Sequence, residues 1–175
     1  MLIKIGNLEV ANLLQYRKIA VVKNEIRVYL PYPSTGGSGI SDGVIEGYPI
    51  HTFEKNIDAN YALYNLFVTQ NQGEKNMWDP GSVEPVSAIW DRLKQHFNDL
   101  NSLSWKLLNE AVITDFDLSK ITITYNRALD GEFGENKIDN CKEVIDNYFL
   151  QMILGDSGFP LTFEWNAPEK MIWNA

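Results

Sequence analysis

The chain has few of the residue types that carry catalysis or bind metals. Its 175 residues include two histidines, His51 and His96, and one cysteine, Cys141. Neither histidine has a second ligand, base or acid at a motif spacing, so no zinc pattern is present. A single cysteine cannot form a disulfide within the chain, which is typical of a reducing, cytoplasmic setting. We therefore expect Cys141 to be a small buried residue, and we predict no cofactor and no metal site.

Long apolar runs and basic clusters are also missing. No stretch approaches the roughly 20 apolar residues that cross a bilayer, and the start, MLIKIGNLEV, lacks the apolar region of a signal peptide. The chain carries 15 Lys and Arg against 23 Asp and Glu, a formal net charge of −8. This balance argues against a nucleic-acid partner and against an anionic membrane surface. It permits a basic protein partner, although solubility alone also explains it.

Apolar residues are plentiful enough to build a core. They make up 45% of the chain, and aromatic residues make up 12%, with five tryptophans. General disorder is therefore excluded, and the length favours one domain over residues 1–175.

The first third of the chain has the patterns of β-strands. Residues 1–5 alternate, and two β-rich runs over 18–22 and 25–30 are separated by Lys23-Asn24, which suits a hairpin turn. A further strand is expected over residues 44–53, bent near Gly47.

Helical spacing begins at Asn56 and dominates the rest. It predicts one helix from 56 to about 73, a second capped by Ser82, a shorter third over about 103–111, and a fourth from Asn136 to Gly155. Gly131 and Gly134 predict a loop before the fourth helix. The predicted buried stripe of that helix is Ile138, Cys141, Ile145, Tyr148, Phe149, Met152 and Ile153. Alternation predicts strands over 120–126 and 161–165. The resulting fold class is α+β: a single domain with a mainly antiparallel sheet, N-terminal hairpin plus C-terminal strands, packed against about four helices.

Two strings resemble functional motifs without completing them. Residues 155–158, GDSG, resemble the nucleophile sequence of trypsin-like serine proteases over four residues, but no histidine lies in a matching context, and we interpret them as a turn that ends a helix. The Gly- and Ser-rich segment 34–43 has no lysine for a P-loop and misses the dinucleotide fingerprint by one residue. We interpret it as a surface loop that can close over a ligand or partner.

The stretch from Glu110 to Asp146 is the most acidic part of the chain. It has nine acidic residues against four basic ones. Asp139, Glu143 and Asp146 are spaced four and three residues apart, so they share one helix face. The candidate partner-binding residues are Asp130, Glu132, Glu135, Asp139, Glu143, Asp146 and the aromatic Trp78. The alternative is that these acidic residues only face solvent and bind no partner.

The function hypothesis is based on an analogy with other single-domain, acidic proteins that lack a catalytic set of residues. We expect a protein-binding module in the cytoplasm, most specifically an immunity or inhibitor protein of bacterial type that neutralises a basic toxin such as a nuclease. The alternative is an enzyme that uses carboxylates, or a small-ligand-binding protein, with the loop 34–43 at its site. An oligomeric protein with aromatic interfaces is a third possibility.

Overall fold

The chain was analysed as a computed structural model, which describes residues 1–6, 9–12, 15–30, 47–72, 77–99, 103–117, 120–154 and 161–168. The contacts between its residues divide it into two compact units, 1–85 and 86–175. The elements of the first unit are β1 (Leu2–Gly6), β2 (Glu9–Asn12), β3 (Lys18–Val22), β4 (Glu25–Tyr29), β5 (Tyr48–Thr52), α1 (Asn56–Gln72), β6 (Met77–Trp78) and a 3-10 turn (Pro80–Ser82). Those of the second are α2 (Val86–Asp99), α3 (Leu103–Asn109), β7 (Ala111–Phe116), β8 (Lys120–Tyr125), α4 (Ala128–Phe133), α5 (Glu135–Leu154) and β9 (Thr162–Asn166).

The first unit packs one long helix against two small sheets. In one sheet β1 lies between β2 and β6, antiparallel to β2 and parallel to β6. In the other, β4 pairs antiparallel with both β3 and β5. The tight turn between β3 and β4 uses Lys23 at a φ of 58°, as the predicted Lys23-Asn24 hairpin requires.

The inner side of α1 fills the core of this unit. Its small and branched residues lie three or four positions apart, so they project from one side of the helix. They contact Ile3 from β1 and Ile26 from β4, both of which are fully buried. One helix therefore covers both sheets.

The second unit is built on a crossover between parallel strands. β8 pairs antiparallel with β7 and parallel with β9, and the chain passes from β8 to β9 through α4 and α5. A parallel neighbour requires such a long connection. On α5, Phe149 is fully buried, with its ring 5.2 Å from that of Trp90 and 6.0 Å from that of Phe163. This aromatic contact joins α2, α5 and β9.

The α+β class with mainly antiparallel pairing is confirmed, as are most of the periodic elements. The predicted helices at 56–73 and 136–155 and the strand at 120–126 match α1, α5 and β8 within two residues. Ile121, Ile123 and Tyr125 are buried along β8 as the alternation predicts. That residues 1–175 form a single domain stays a prediction.

Four local expectations were wrong. Ala111 begins strand β7 and does not end the third helix, because pairing with β8 outweighs the local helical spacing. Residues 128–133 form helix α4 despite Gly131, with Leu129 buried beneath it. Ser82 does not cap α2, because it belongs to the 3-10 turn that Asp79 caps. Tyr148, expected in the buried stripe of α5, is 42% exposed.

Candidate functional site

The predicted acidic residues lie on two consecutive helices of the second unit. Asp130 and Glu132 are on α4, and Asp139, Glu143 and Asp146 are on α5. Glu135 is the first residue of α5, and its side chain lies outside the described residues. The chain turns between the helices at Gly134, whose φ of 76° favours glycine.

The outer acids of this group face solvent. The side chain of Asp139 is 72% exposed, and it reaches Lys142 Nζ only at 3.8 Å. Glu143 is also exposed. Glu132 is exposed and forms a 3.5 Å ion pair with Lys106, which is itself on the surface. Exposed pairs of this kind hold their partners weakly, so these carboxylates remain accessible.

Lys142 points inward, although it belongs to the same helix. Its side chain is only 18% exposed. The ammonium donates a hydrogen bond to Tyr125 Oη at 2.9 Å and lies 4.5 Å from the centre of that ring. The Tyr125 hydroxyl in turn donates to Asp130 Oδ1 at 2.9 Å. The positive charge is thus held beside β8, and the outer flank of α5 keeps its negative charge.

Asp146 is the inner member of the acidic row. Its Oδ1 accepts a hydrogen bond from Trp165 Nε1 at 2.8 Å. Burial raises the pKa of Asp146 to about 6, against the opposing effects of the Trp165 hydrogen bond and the Lys142 charge. The sequence spacing predicts Asp146 on the open face of Asp139 and Glu143, and this expectation is corrected: its side chain bonds to Trp165 of β9 and is half-buried.

Tyr125 links these groups into one polar cluster, which we call the Tyr125 cluster: Tyr125, Asp130, Lys142, Asp146 and Trp165. The rings of Tyr125 and Trp165 lie edge to face with centres 5.9 Å apart. Burial raises the pKa of the Tyr125 hydroxyl, while the hydrogen bond from Lys142 lowers it. Because three hydrogen bonds and this ring contact join its side chains, the cluster orders the surface beneath the exposed acids.

Trp78 lies away from any surface that a partner could reach. It is 3% exposed, it belongs to the core around Ile3, and its indole nitrogen donates to Asn65 Oδ1 at 3.1 Å. The assignment of Trp78 as a partner-binding residue is therefore corrected, because its ring is already covered by its own unit.

A groove of about 260 Å³ in the first unit brings His51 next to groups that the sequence did not connect with it. Lys4 and Asp79 also line it and form an ion pair at 3.5 Å. A Cβ added to Gly81 would stand 3.3 Å from Asp79 Oδ1 and 3.4 Å from His51 Cε1. These residues come from β1, β5 and the 3-10 turn, so only the tertiary structure assembles them.

The part of the chain that the structure describes has neither a candidate metal-binding group nor a helix that could cross a membrane. In it, no three His, Cys, Asp or Glu side chains are grouped so that they could hold a metal ion. Nor do the described helices include one that is long and apolar enough to cross a membrane. The loop 34–43 lies outside the described residues.

Comparison with models of known protein families, with curated proteins and with solved structures gave no match.

Proposed function

We propose that this chain is a protein-binding module that engages a basic protein partner through the outer acids of α4 and α5. The contact surface is formed by Glu132, Asp139 and Glu143, and we call it the acidic flank. Its most specific form is an immunity or inhibitor protein that covers a basic toxin such as a nuclease.

The inward position of Lys142 is the observation that carries this proposal. A lysine three residues after Asp139 would ordinarily reach out and neutralise the row of acids. Here its ammonium donates to Tyr125 and reaches Asp139 only at 3.8 Å, so it compensates the row of acids from the inner side of the helix and not from the surface. Lys137 is two residues from Asp139 and projects from the opposite side of α5. A surface of one sign attracts a partner of the other sign and accelerates its encounter.

The support beneath the acidic flank also favours binding. An interface gains affinity when its residues are ordered before the partner arrives, because less conformational entropy is then lost. The Tyr125 cluster fixes α4 and α5 to strands β8 and β9 through hydrogen bonds of 2.8–2.9 Å. The acids therefore extend from a preorganised base.

The natural binding candidates are the proteins encoded beside the gene for this chain, since toxins and their inhibitors are produced together. Each is purified and tested for association with the chain at low and high salt. A basic nuclease among them is also tested for loss of nucleic-acid cleavage. We expect one basic protein to bind, with an association rate that falls as salt increases.

The variant D139K/E143K tests the surface. It should lower the association rate on the order of tenfold, because steering by charge acts on encounter. Asp146 is left unchanged, since reversing it would break its bond to Trp165. The control E54K/D91K changes two exposed acids elsewhere and alters the net charge equally. Equal effects of the two variants, or an unchanged rate in the first, would show that α4 and α5 are not the contact surface.

A second candidate function is catalysis or small-ligand binding, for which the His51 groove is the specific observation. Histidine, lysine and a carboxylate are the groups that acid–base chemistry uses. The variant G81A narrows this groove by placing a methyl group against Asp79 and His51. A ligand that stabilises the wild type but not G81A would support this candidate.

A further inference from the structure

A second groove in the first unit has a composition unlike the rest of this acidic chain. It lies between the start of β3 and α1 and measures about 310 Å³. This volume is at the lower end of the roughly 300–1,000 Å³ range of small-molecule sites. Its lining residues are Tyr16, Arg17, Lys18, Ile19, Leu63, Leu66, Phe67 and Gln70.

The helix contributes an apolar floor. Leu63, Leu66, Phe67 and Gln70 are spaced three, one and three residues apart, so they project from the same side of α1. The two leucines are buried, whereas Phe67 is 38% exposed. An apolar ligand that covered the Phe67 ring would remove this surface from water, which favours binding.

The strand contributes a basic rim. Lys18 and Arg17 both lie near the ring of Tyr29: the Lys18 ammonium is 4.7 Å and the Arg17 guanidinium carbon 5.9 Å from its centre. The backbone N–H of Arg17 donates to the Tyr29 carbonyl at 2.8 Å, which fixes the chain at this point. The other polar residues among the described lining of the groove are Tyr16 and Gln70, whose side chains are uncharged types.

Charge and polarity together define the ligand. Among the described residues that line the groove none is acidic, and Arg17 and Lys18 give it two positive charges in a chain of net charge −8. A cation would be repelled, and a fully polar anion would leave the exposed part of the Phe67 ring uncovered. We propose that this groove binds a small amphiphilic anion: a carboxylate or sulfonate head at Arg17 and Lys18, with an apolar chain or ring over Phe67 and the leucines. This proposal is independent of the acidic flank.

The test uses octanoate as the probe and 1-octanol as its neutral counterpart, both well below the concentrations at which they aggregate. Binding is followed by two-dimensional NMR, which locates the site. We expect octanoate to shift the signals of Leu63, Phe67 and Lys18, and to bind more tightly than 1-octanol. Added salt should weaken octanoate binding and leave 1-octanol unaffected.

Two variants test separately the contact with the anionic head of the ligand and the contact with its apolar chain. K18Q should weaken octanoate about two- to fivefold, the range of an exposed ion pair, without changing 1-octanol binding. F67A should weaken the binding of both octanoate and 1-octanol. The controls are K23Q, which removes a cation from the turn of the same hairpin, and L30A, which removes an exposed apolar side chain outside the groove; both should bind as the wild type does.

The proposal is overturned by any of three results: octanoate shifts no groove signals, octanoate and 1-octanol bind equally to the wild type, or K23Q weakens octanoate as much as K18Q. The last result would mean that the anion responds to overall charge and not to this groove.

Discussion

The indole nitrogen of Trp165 donates a hydrogen bond to the carboxylate of Asp146 across 2.8 Å. The two residues are 19 positions apart, and they meet because the crossover returns the chain from α5 to β9. The bond places a partly buried carboxylate at the inner edge of the acidic flank. Burial raises the pKa of this group to about 6, above the 3.8 of an unperturbed aspartate.

Asp146 should make the stability of the fold depend on pH. Because its folded-state pKa lies above its unfolded value, its favourable contribution is complete below about pH 3.8 and is lost as the pH rises through about 6. D146N removes this titration and keeps an oxygen that accepts the Trp165 hydrogen bond. Denaturant unfolding of both proteins at pH 4 and pH 7 measures the effect.

We expect the unfolding free energy of D146N, relative to that of the wild type, to be larger at pH 7 than at pH 4. The matched control is D139N, whose side chain is exposed on the same helix. If the stability difference between D146N and the wild type is the same at both pH values, Asp146 is not titrating in this window.

Phe149 should be a main source of stability in the second unit. It is fully buried between Trp90 and Phe163, so F149A should cost about 3–5 kcal/mol of unfolding free energy through lost contacts and a cavity. The neighbouring Tyr148 is a control, because it is 42% exposed and Y148A should cost about 1 kcal/mol or less. Chemical denaturation measures both. A loss below about 1 kcal/mol for F149A would mean that the inner side of α5 is misassigned.

Two glycines should respond in opposite directions to alanine. Gly47 has a φ of 75°, and a Cβ there would stand 2.7–3.0 Å from atoms of the Tyr29 ring, so G47A should destabilise by more than about 1 kcal/mol. Gly131 lies within helix α4, and a Cβ there meets nothing within 4 Å. G131A should stabilise by about 0.5–1 kcal/mol, because alanine loses less entropy in a helix. Thermal melts of the two variants check the signs, and a stabilising G47A would contradict the described position of Tyr29.

Cys141 should be unreactive in the folded protein. It is buried on α5, in the row that contains Ile138 and Ile145. A thiol reagent must contact the sulfur atom, and a buried side chain prevents that contact unless the fold opens locally. The comparison is N140C/C141S, which places one cysteine on the exposed neighbouring position. Labelling with a chromogenic disulfide should be much faster in that variant, and equal rates would reopen a redox role for Cys141.

Periodicity was a sound guide wherever an element was long or strictly alternating. The spacing of Ile138, Cys141, Ile145 and Phe149 predicted the buried side of α5, and the alternation of β8 predicted its inner residues. It failed at β7, where Ala111 continued the spacing of the α3 leucines. A short apolar segment is compatible with a helix or with a strand. Here the antiparallel pairing of Ile113 with Ile123 stabilises the strand.

The candidate site was predicted only in outline. Composition located the acids, but it could not show that Lys142 turns inward to Tyr125, 17 residues earlier, or that Asp146 bonds to Trp165. Nor could it connect His51 with Lys4 and Asp79, which come from other elements.

The sequence by itself determined the α+β class, the apolar sides of the main elements and the excess of negative charge. These depend on composition and on the repeat of helix or strand, which are local properties. The tertiary structure decided which charges reach the surface and which polar groups meet. Those outcomes depend on the crossover between β8 and β9 and on the packing of α1 against two sheets, which bring together residues far apart in the chain.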